Sequence, residues 1–213
     1  MVHIFYYRSS SRLPPALFEF YLQQLPVFIQ KKILAYKQWQ DAERSLAGNM
    51  LLLKGLQSLN IQDYALAQMK FGEFRKPYFD DQLKFNISHS GQYTICAISQ
   101  TNEVGIDVEE IKDIPFVDFT EFFYHEEWQE VLNSGNRLLA FYTLWTKKEA
   151  FLKVIGSGLN LPLNKVIIKD NKINWKSADW FLQQVNLDDA HICFLCSDAP
   201  LPPFKSEKIN LLD

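Results

Sequence analysis

The stretch FNISHSGQYTICAISQTNEVGIDVEEI, residues 85–111, reads with a period of two rather than the period of a helix. Tyr93, Ile95 and Ala97 fall on one side of an extended chain and Thr94, Cys96 and Ile98 on the other. Both sides are largely apolar, so this strand is expected to be covered on both faces. Thr101-Asn102-Glu103 is a turn signal, and VGIDVEEI follows as a second strand, close enough in sequence to predict a hairpin. Along that second strand Val104, Ile106 and Val108 face one way, and Gly105, Asp107 and Glu109 face the other.

Upstream, HIFYY (His3–Tyr7) is a first strand. Leu17, Phe18, Tyr21, Leu22 and Leu25 recur at helical spacing, until Pro26 ends that helix or opens the next. The clearest amphipathic helix of this part runs from Tyr36 to about Leu59, carrying Trp39, Ala42, Leu46, Met50, Leu53, Leu56 and Leu59. Downstream, a Phe-rich connection (Pro115–Phe123) leads to a helix over Arg137–Ile155, stopped by Gly156 and Gly158. The remainder, KVIIKD, KINW, FLQQV and HICFLC, reads as short strands, and the KSEKINLLD tail as a loose end. Helices and strands segregate instead of alternating, which predicts an α+β fold and not a doubly wound sheet.

Composition sets the outer limits. With 213 residues, 47% of them hydrophobic, the chain can bury one large or two small cores, and disorder is excluded. A net charge of −3 argues against a general nucleic-acid binder, which would show a basic excess. Neither a secretory signal nor an apolar run long enough to span a bilayer is visible, so the expectation is a soluble, cytoplasmic protein without a membrane partner. Cys193 and Cys196 have CxxC spacing, but three residues apart on a strand they point to opposite faces and cannot readily share a metal. With Cys96 they are read as reduced core thiols.

Three pieces carry chemistry. Asp107 and Glu109, about 6.5–7 Å apart on one face of a strand, repel one another unless a cation lies between them. Oxygen donors of that kind suit Mg²⁺, although an acidic solvated face has the same letters. In WTKKEAFLK, Trp145, Glu149 and Lys153 share one helical stripe, which is either a surface ion pair or part of a metal and phosphate site. The polar Asn86–Gly91 segment, with Ser88 and His89, is an anion cradle or an ordinary turn, with Arg44 and Arg75-Lys76 as further cations. Ser88 and His89 diverge on a strand and have no nucleophile elbow around them, and no P-loop, GxGxxG or HExxH occurs.

In order, FGEFRKPYF, FNISHSG, GIDVEEI and WTKKEAFLK resemble the pattern of the Sfp-type 4′-phosphopantetheinyl transferases, and the earlier DAERSLAGNMLL resembles that family's N-terminal helix. The resemblance implies two similar α+β halves, residues 1–102 and 103–213, packed as an intramolecular pseudo-dimer with coenzyme A in the cleft between them. It implies a monomer that transfers phosphopantetheine from coenzyme A to a serine of an apo acyl, polyketide or peptidyl carrier protein and releases 3′,5′-ADP. Mg²⁺, for which Mn²⁺ can substitute, would be held by Asp107, Glu109 and Glu149. Lys148 and Lys153 match phosphate-binding lysines, while Lys76, Ser88 and His89 match groups that hold the 3′-phosphate and nucleotide. Lys32, Arg44 and Ser45 correspond to further nucleotide contacts. Glu149 is the expected general base, with a metal-bound water as the alternative, and Lys153 stabilises developing charge. Glu127 matches an acidic position near the carrier serine in some members. Arg75 stands where the family commonly has glycine, Ile29 stands for an upstream lysine, and Lys147 has no assigned role. The Phe-rich connection is either core or carrier-docking surface. The competing readings are another metal-dependent phosphoryl enzyme and a non-catalytic binder of coenzyme A or carrier.

Overall fold

The protein is described here by a computed structural model covering residues 1–200, 204 and 206–212. In chain order the elements are β1 (Val2–Arg8), α1 (Pro15–Leu22), α2 (Val27–Leu34), α3 (Trp39–Ser58), β2 (Lys70–Phe71), β3 (Pro77–Tyr78), β4 (Lys84–Ser90) and β5 (Tyr93–Ser99). There follow β6 (Val104–Glu110), α4 (His125–Asn133), α5 (Arg137–Ile155), β7 (Lys172–Trp175), β8 (Ala178–Gln184), β9 (His191–Ser197) and β10 (Ser206–Lys208). Among the described residues two sheets carry the fold, in the orders β10-β1-β5-β4 and β6-β9-β8-β7, beside the small β2-β3 ribbon. No helix among these residues is long and apolar enough to cross a membrane.

The double-faced reading of residues 93–98 explains the layering. Cys96 and Ile98 join the core under α3, with Leu46, Met50 and Leu52. Tyr93, Ile95 and Ala97 turn the other way and meet Val104, Ile106 and Val108 of β6 in an apolar layer between the sheets. The second sheet is covered in turn by α5, through Phe151, Leu152 and Val154. The mixed α+β fold therefore has a long helix over each of two sheets packed on one another. Cys193 lies in the inter-sheet layer and Cys196 under α5, both as free thiols.

Gly105 makes the site possible. A Cβ there would lie 2.2 Å from the Ala150 carbonyl oxygen and 2.5 Å from the Val154 nitrogen, so only glycine lets α5 settle onto β6. Gly156, at φ +70°, supplies the left-handed turn that ends α5.

Four expectations are corrected. β5 and β6 do not form a hairpin: the Ser99 hydroxyl accepts from the amides of Thr101 and Asn102 in the turn, and β6 passes into the other sheet to pair with β9. KVIIKD is not a strand, because the Val166 carbonyl and the Ile168 amide are bonded by side chains of α5 and α4 and are withdrawn from any ladder. The first long helix begins at Trp39, after an extended Gln38, and not at Tyr36. The tail is not loose. Lys205 and Asp213 lie outside the described residues, but Ser206–Lys208 pairs in parallel with β1 and Leu211 is fully buried under α3. The expected division after residue 102 separates the strands of the two sheets except for β10, which returns to the first.

Candidate active site

β6 turns Asp107 and Glu109 toward α5, which contributes Glu149 and, one turn on, Lys153. Asp107 is 3% exposed. Its Oδ1 accepts hydrogen bonds from Lys153 Nζ at 2.6 Å and from the Ser88 hydroxyl at 2.9 Å, while its buried Oδ2 has no partner. Glu109 is gripped at both oxygens, Oε1 by the Trp145 indole at 3.3 Å and Oε2 by the Ser90 hydroxyl at 2.8 Å. Glu149 Oε1 is buried without a partner. Burial pushes the Glu149 carboxyl up to about 7, the charges of Asp107 and Glu109 act in the same direction, and the Lys153 ammonium opposes them. Burial likewise raises Glu109, with Asp107 adding to it.

Three carboxylates against one ammonium, with two shielded oxygens lacking any donor, form a cation-seeking donor set. A hard divalent ion such as Mg²⁺ or Mn²⁺ fits it, since Mg²⁺ needs only one or two protein carboxylates and completes its shell with phosphate oxygens and water. Among the described residues the carboxylates do not close into a three-ligand cage in this conformation, and Lys153 rests against Asp107.

β4 divides its residues between this cluster and a neighbouring pocket. Asn86, Ser88 and Ser90 reach β6, whereas His89, from the opposite face of the strand, lines a pocket with Lys32, Arg44, Ser45 and Arg75 between α2, α3 and β4. Burial lowers the His89 pKa, and the charges of Lys153 and Arg44 lower it further, so the imidazole feels both the pocket and the carboxylate cluster. Phe28 and Phe71, in edge contact at 6.2 Å, form an aromatic wall of the same pocket.

Some candidates stand elsewhere than expected. Ser88 is 4% exposed and bonded to Asp107 and Lys153, and it does not line the pocket. Lys76 sends its ammonium across to the Val154 carbonyl in the last turn of α5, at 2.6 Å, where it caps an orphan acceptor. Its neighbour Arg75, held at φ 61°, presents the cation at the pocket instead. Lys148 is completely buried, with its ammonium 2.5 Å from Glu127 Oε2 and bonded to the carbonyls of Leu163 and Val166. It faces away from the cluster, and Glu127 is its counterion. Lys147 lies 5.0 Å from the Phe194 ring centroid, a packing role that its letter alone does not disclose. Ser90 and Trp145, which hold Glu109, were not singled out as its partners from the sequence. The available signal was that 88 and 90 share the period of 107 and 109.

An acidic donor set beside a cationic, aromatic-walled pocket suits a phosphorylated ligand. Residues 103–197 match the 4′-phosphopantetheinyl transferase superfamily, and residues 14–101 match the family described as 4′-phosphopantetheinyl transferase, N-terminal. The 4′-phosphopantetheinyl transferase gsp of Aneurinibacillus migulanus is 33% identical over 206 residues, covering 92% of this chain and 86% of that protein. The 4′-phosphopantetheinyl transferase Sfp of Bacillus subtilis is 28% identical over 182 residues, covering 80% and 81%. The L-aminoadipate-semialdehyde dehydrogenase-phosphopantetheinyl transferase of Xenopus laevis is 26% identical over 186 residues, covering 71% and 61%. The chain belongs to the 4′-phosphopantetheinyl transferase superfamily.

Proposed function

We propose that the protein is a magnesium-dependent, monomeric, cytoplasmic transferase that moves 4′-phosphopantetheine from coenzyme A to a serine of an apo carrier protein. The observation that carries the reading is the pair of buried, partnerless oxygens, Asp107 Oδ2 and Glu149 Oε1, set beside Lys153. Asp107, Glu109 and Glu149 would hold the divalent ion, which supplies positive charge to the pyrophosphate oxygens. Lys153, already an ammonium donor at the cluster, stabilises the charge that develops in transfer. Glu149, a carboxylate at the cluster with Oε1 unpartnered, is the side chain placed to take the proton of the carrier serine. The serine oxygen then bonds the β-phosphorus of coenzyme A, the bond to the bridging oxygen breaks, and 3′,5′-ADP leaves. Lys32, Arg44, Ser45, Arg75 and His89 receive the nucleotide end in their pocket.

Exposure sorts the Phe-rich connection. Phe116 and Phe119 are half-buried and pack against Phe141 of the core at 5.6 and 5.5 Å, whereas Val117 is 55% and Phe122 53% exposed. Those two are the side chains offered to a carrier. Mass spectrometry of an apo acyl carrier protein, after incubation with enzyme, coenzyme A and Mg²⁺, should show a gain of one phosphopantetheine group that chelation abolishes. No gain on fatty-acid, polyketide or peptidyl carriers, with coenzyme A still binding, would replace this reading with the non-catalytic binder.

Arg75 gives a sharper check on the pocket. Its φ of 61° is a conformation that a non-glycine residue adopts only at a cost. Arg75→Gly should therefore fold at least as well, yet raise KM for coenzyme A roughly tenfold, the worth of one charge-assisted hydrogen bond. The same variant should leave KM for 3′-dephospho-coenzyme A unchanged. Equal losses on both substrates would remove Arg75 from the phosphate contacts.

A further inference from the structure

We infer that Ser90 is a positioning residue for Glu109, and Ser88 its counterpart for Asp107, so that the first half of the chain orients the carboxylates of the second. The inference rests on the cation site proposed above. A serine hydroxyl has one proton to give and two lone pairs to receive. Ser88 Oγ accepts from the Val108 amide at 3.3 Å and donates to Asp107 Oδ1 at 2.9 Å. Ser90 repeats the arrangement one pleat further on, accepting from the Glu110 amide at 3.0 Å and donating to Glu109 Oε2 at 2.8 Å. Asn86 extends the row, its Oδ1 accepting from the Ile106 amide at 3.0 Å. Every second residue from Asn86 to Ser90 thus serves an amide on the free edge of β6, in place of a backbone ladder between the two strands.

The direction of each hydroxyl proton follows from this. A backbone amide can only donate, so it occupies a lone pair and leaves the serine proton for the carboxylate. One oxygen of each carboxylate is then fixed by a donor anchored in the other half. For Asp107 the second oxygen remains bare; for Glu109 the Trp145 indole holds it from α5. Carboxylates oriented in this way reach a cation with less freedom left to lose, and groups bonded to metal ligands commonly change metal affinity by about 10–100-fold when removed.

The test is Mn²⁺ affinity, read by electron paramagnetic resonance on enzyme free of coenzyme A and carrier. Ser90→Ala should raise the Mn²⁺ Kd by about tenfold or more, and Ser90→Thr, which keeps the hydroxyl, should restore it. In transfer assays Ser90→Ala should raise the Mg²⁺ concentration for half-maximal rate while leaving kcat at saturating Mg²⁺ within about threefold. Ser88→Ala, which removes the equivalent donor to Asp107, should also weaken Mn²⁺, and it decides the matter should Ser90→Ala fail to fold. Unchanged Mn²⁺ affinity in folded Ser90→Ala, with only a lowered Tm, would overturn the inference and leave Ser90 as a seam residue. Unchanged affinity in folded Ser88→Ala, where that variant is the one that decides, would overturn it equally. Failure of the wild-type enzyme to bind Mn²⁺ would remove the cation site itself, and the inference with it.

Discussion

Glu149→Gln should lower kcat for phosphopantetheine transfer by about 10³-fold or more while making the metal-free protein more stable at pH 8. The loss follows from two duties on one side chain. Its partnerless Oε1 would be offered to the cation, and the same carboxylate is the group placed to accept the serine proton. General-base catalysis alone is worth about 10²–10⁴-fold, and a weakened cation site adds to that. The gain in stability follows from linkage. A carboxyl whose folded pKa is raised above its ordinary value binds protons more tightly in the native state, so its stabilising contribution is full below about 4.5 and is lost as pH rises through about 7. At pH 8 the ionised Glu149 therefore works against the fold, by about 1–2 kcal/mol after allowance for its solvent-facing side. Glutamine is neutral at every pH and should flatten this slope. Thermal melts in chelator from pH 5 to 8, beside single-turnover transfer assays, measure both effects. A glutamine variant that keeps its rate would pass the proton-accepting role to water, and one that keeps the wild-type pH slope would mean that Glu149 is not the strained carboxyl.

Much of this site was legible because its signals are periodic. Alternation placed Asp107 and Glu109 on one face opposite Val104, Ile106 and Val108, and helical spacing put Glu149 and Lys153 on one stripe; the structure brings the two sets together. The long helix over Arg137–Ile155 and the opposed Cys193 and Cys196 follow from the same arithmetic. What the letters withheld is the direction of long side chains and the choice of strand partners. Lys76, Lys148 and Lys153 all sit in or beside conspicuous motifs, yet only Lys153 turns to the carboxylates. Lys76 finds a helix-end carbonyl and Lys148 a buried counterion, because a four-carbon stem settles wherever burial and acceptors coincide. Pairing was hidden for a related reason. The Thr101–Glu103 turn is an ordinary hairpin signal, and nothing local to it discloses that β6 is drawn to β9, about ninety residues on, while Asn86, Ser88 and Ser90 close its other edge.

These contacts make the halves interdependent. The first supplies the hydroxyls that hold Asp107 and Glu109 and the lysine that caps α5, while the tail of the second returns as β10 beside β1. Neither half would be expected to keep the carboxylate geometry alone, and a site assembled across such a seam responds to substitutions far from the substrate. The carrier surface proposed at Val117 and Phe122 belongs to the same logic. It follows the carboxylate strand directly, and its half-buried neighbours Phe116 and Phe119 rest on the helix that bears Glu149.

The Lys148–Glu127 pair is where sequence resemblance and structure part most clearly, and removing its lysine alone should produce the largest loss of stability. Lys148 has no exposed surface, and burial lowers its pKa, with Glu127 opposing that shift. The ammonium also bonds the Leu163 and Val166 carbonyls, while Glu127 Oε1 receives the Ile168 amide. One ion pair therefore pins the segment from 163 to 168 between α4 and α5. Lys148→Met leaves a buried carboxylate without its counterion, which should cost about 3–5 kcal/mol and lower Tm by roughly 10 °C. Glu127→Gln combined with Lys148→Met removes the stranded charge, keeps an acceptor for the Ile168 amide, and should recover about half of the loss or more, because removing both members of a buried pair is far milder than removing one. The alternative, a lysine that holds phosphate, makes the opposite forecast: Lys148→Met would raise KM for coenzyme A with Tm almost unmoved, and Glu127→Gln would bring no rescue. Melting curves for the two single variants and the double, with KM for coenzyme A measured on each, separate the cases. Additive losses in stability would show that the two charges are not coupled and that the segment is pinned by packing alone.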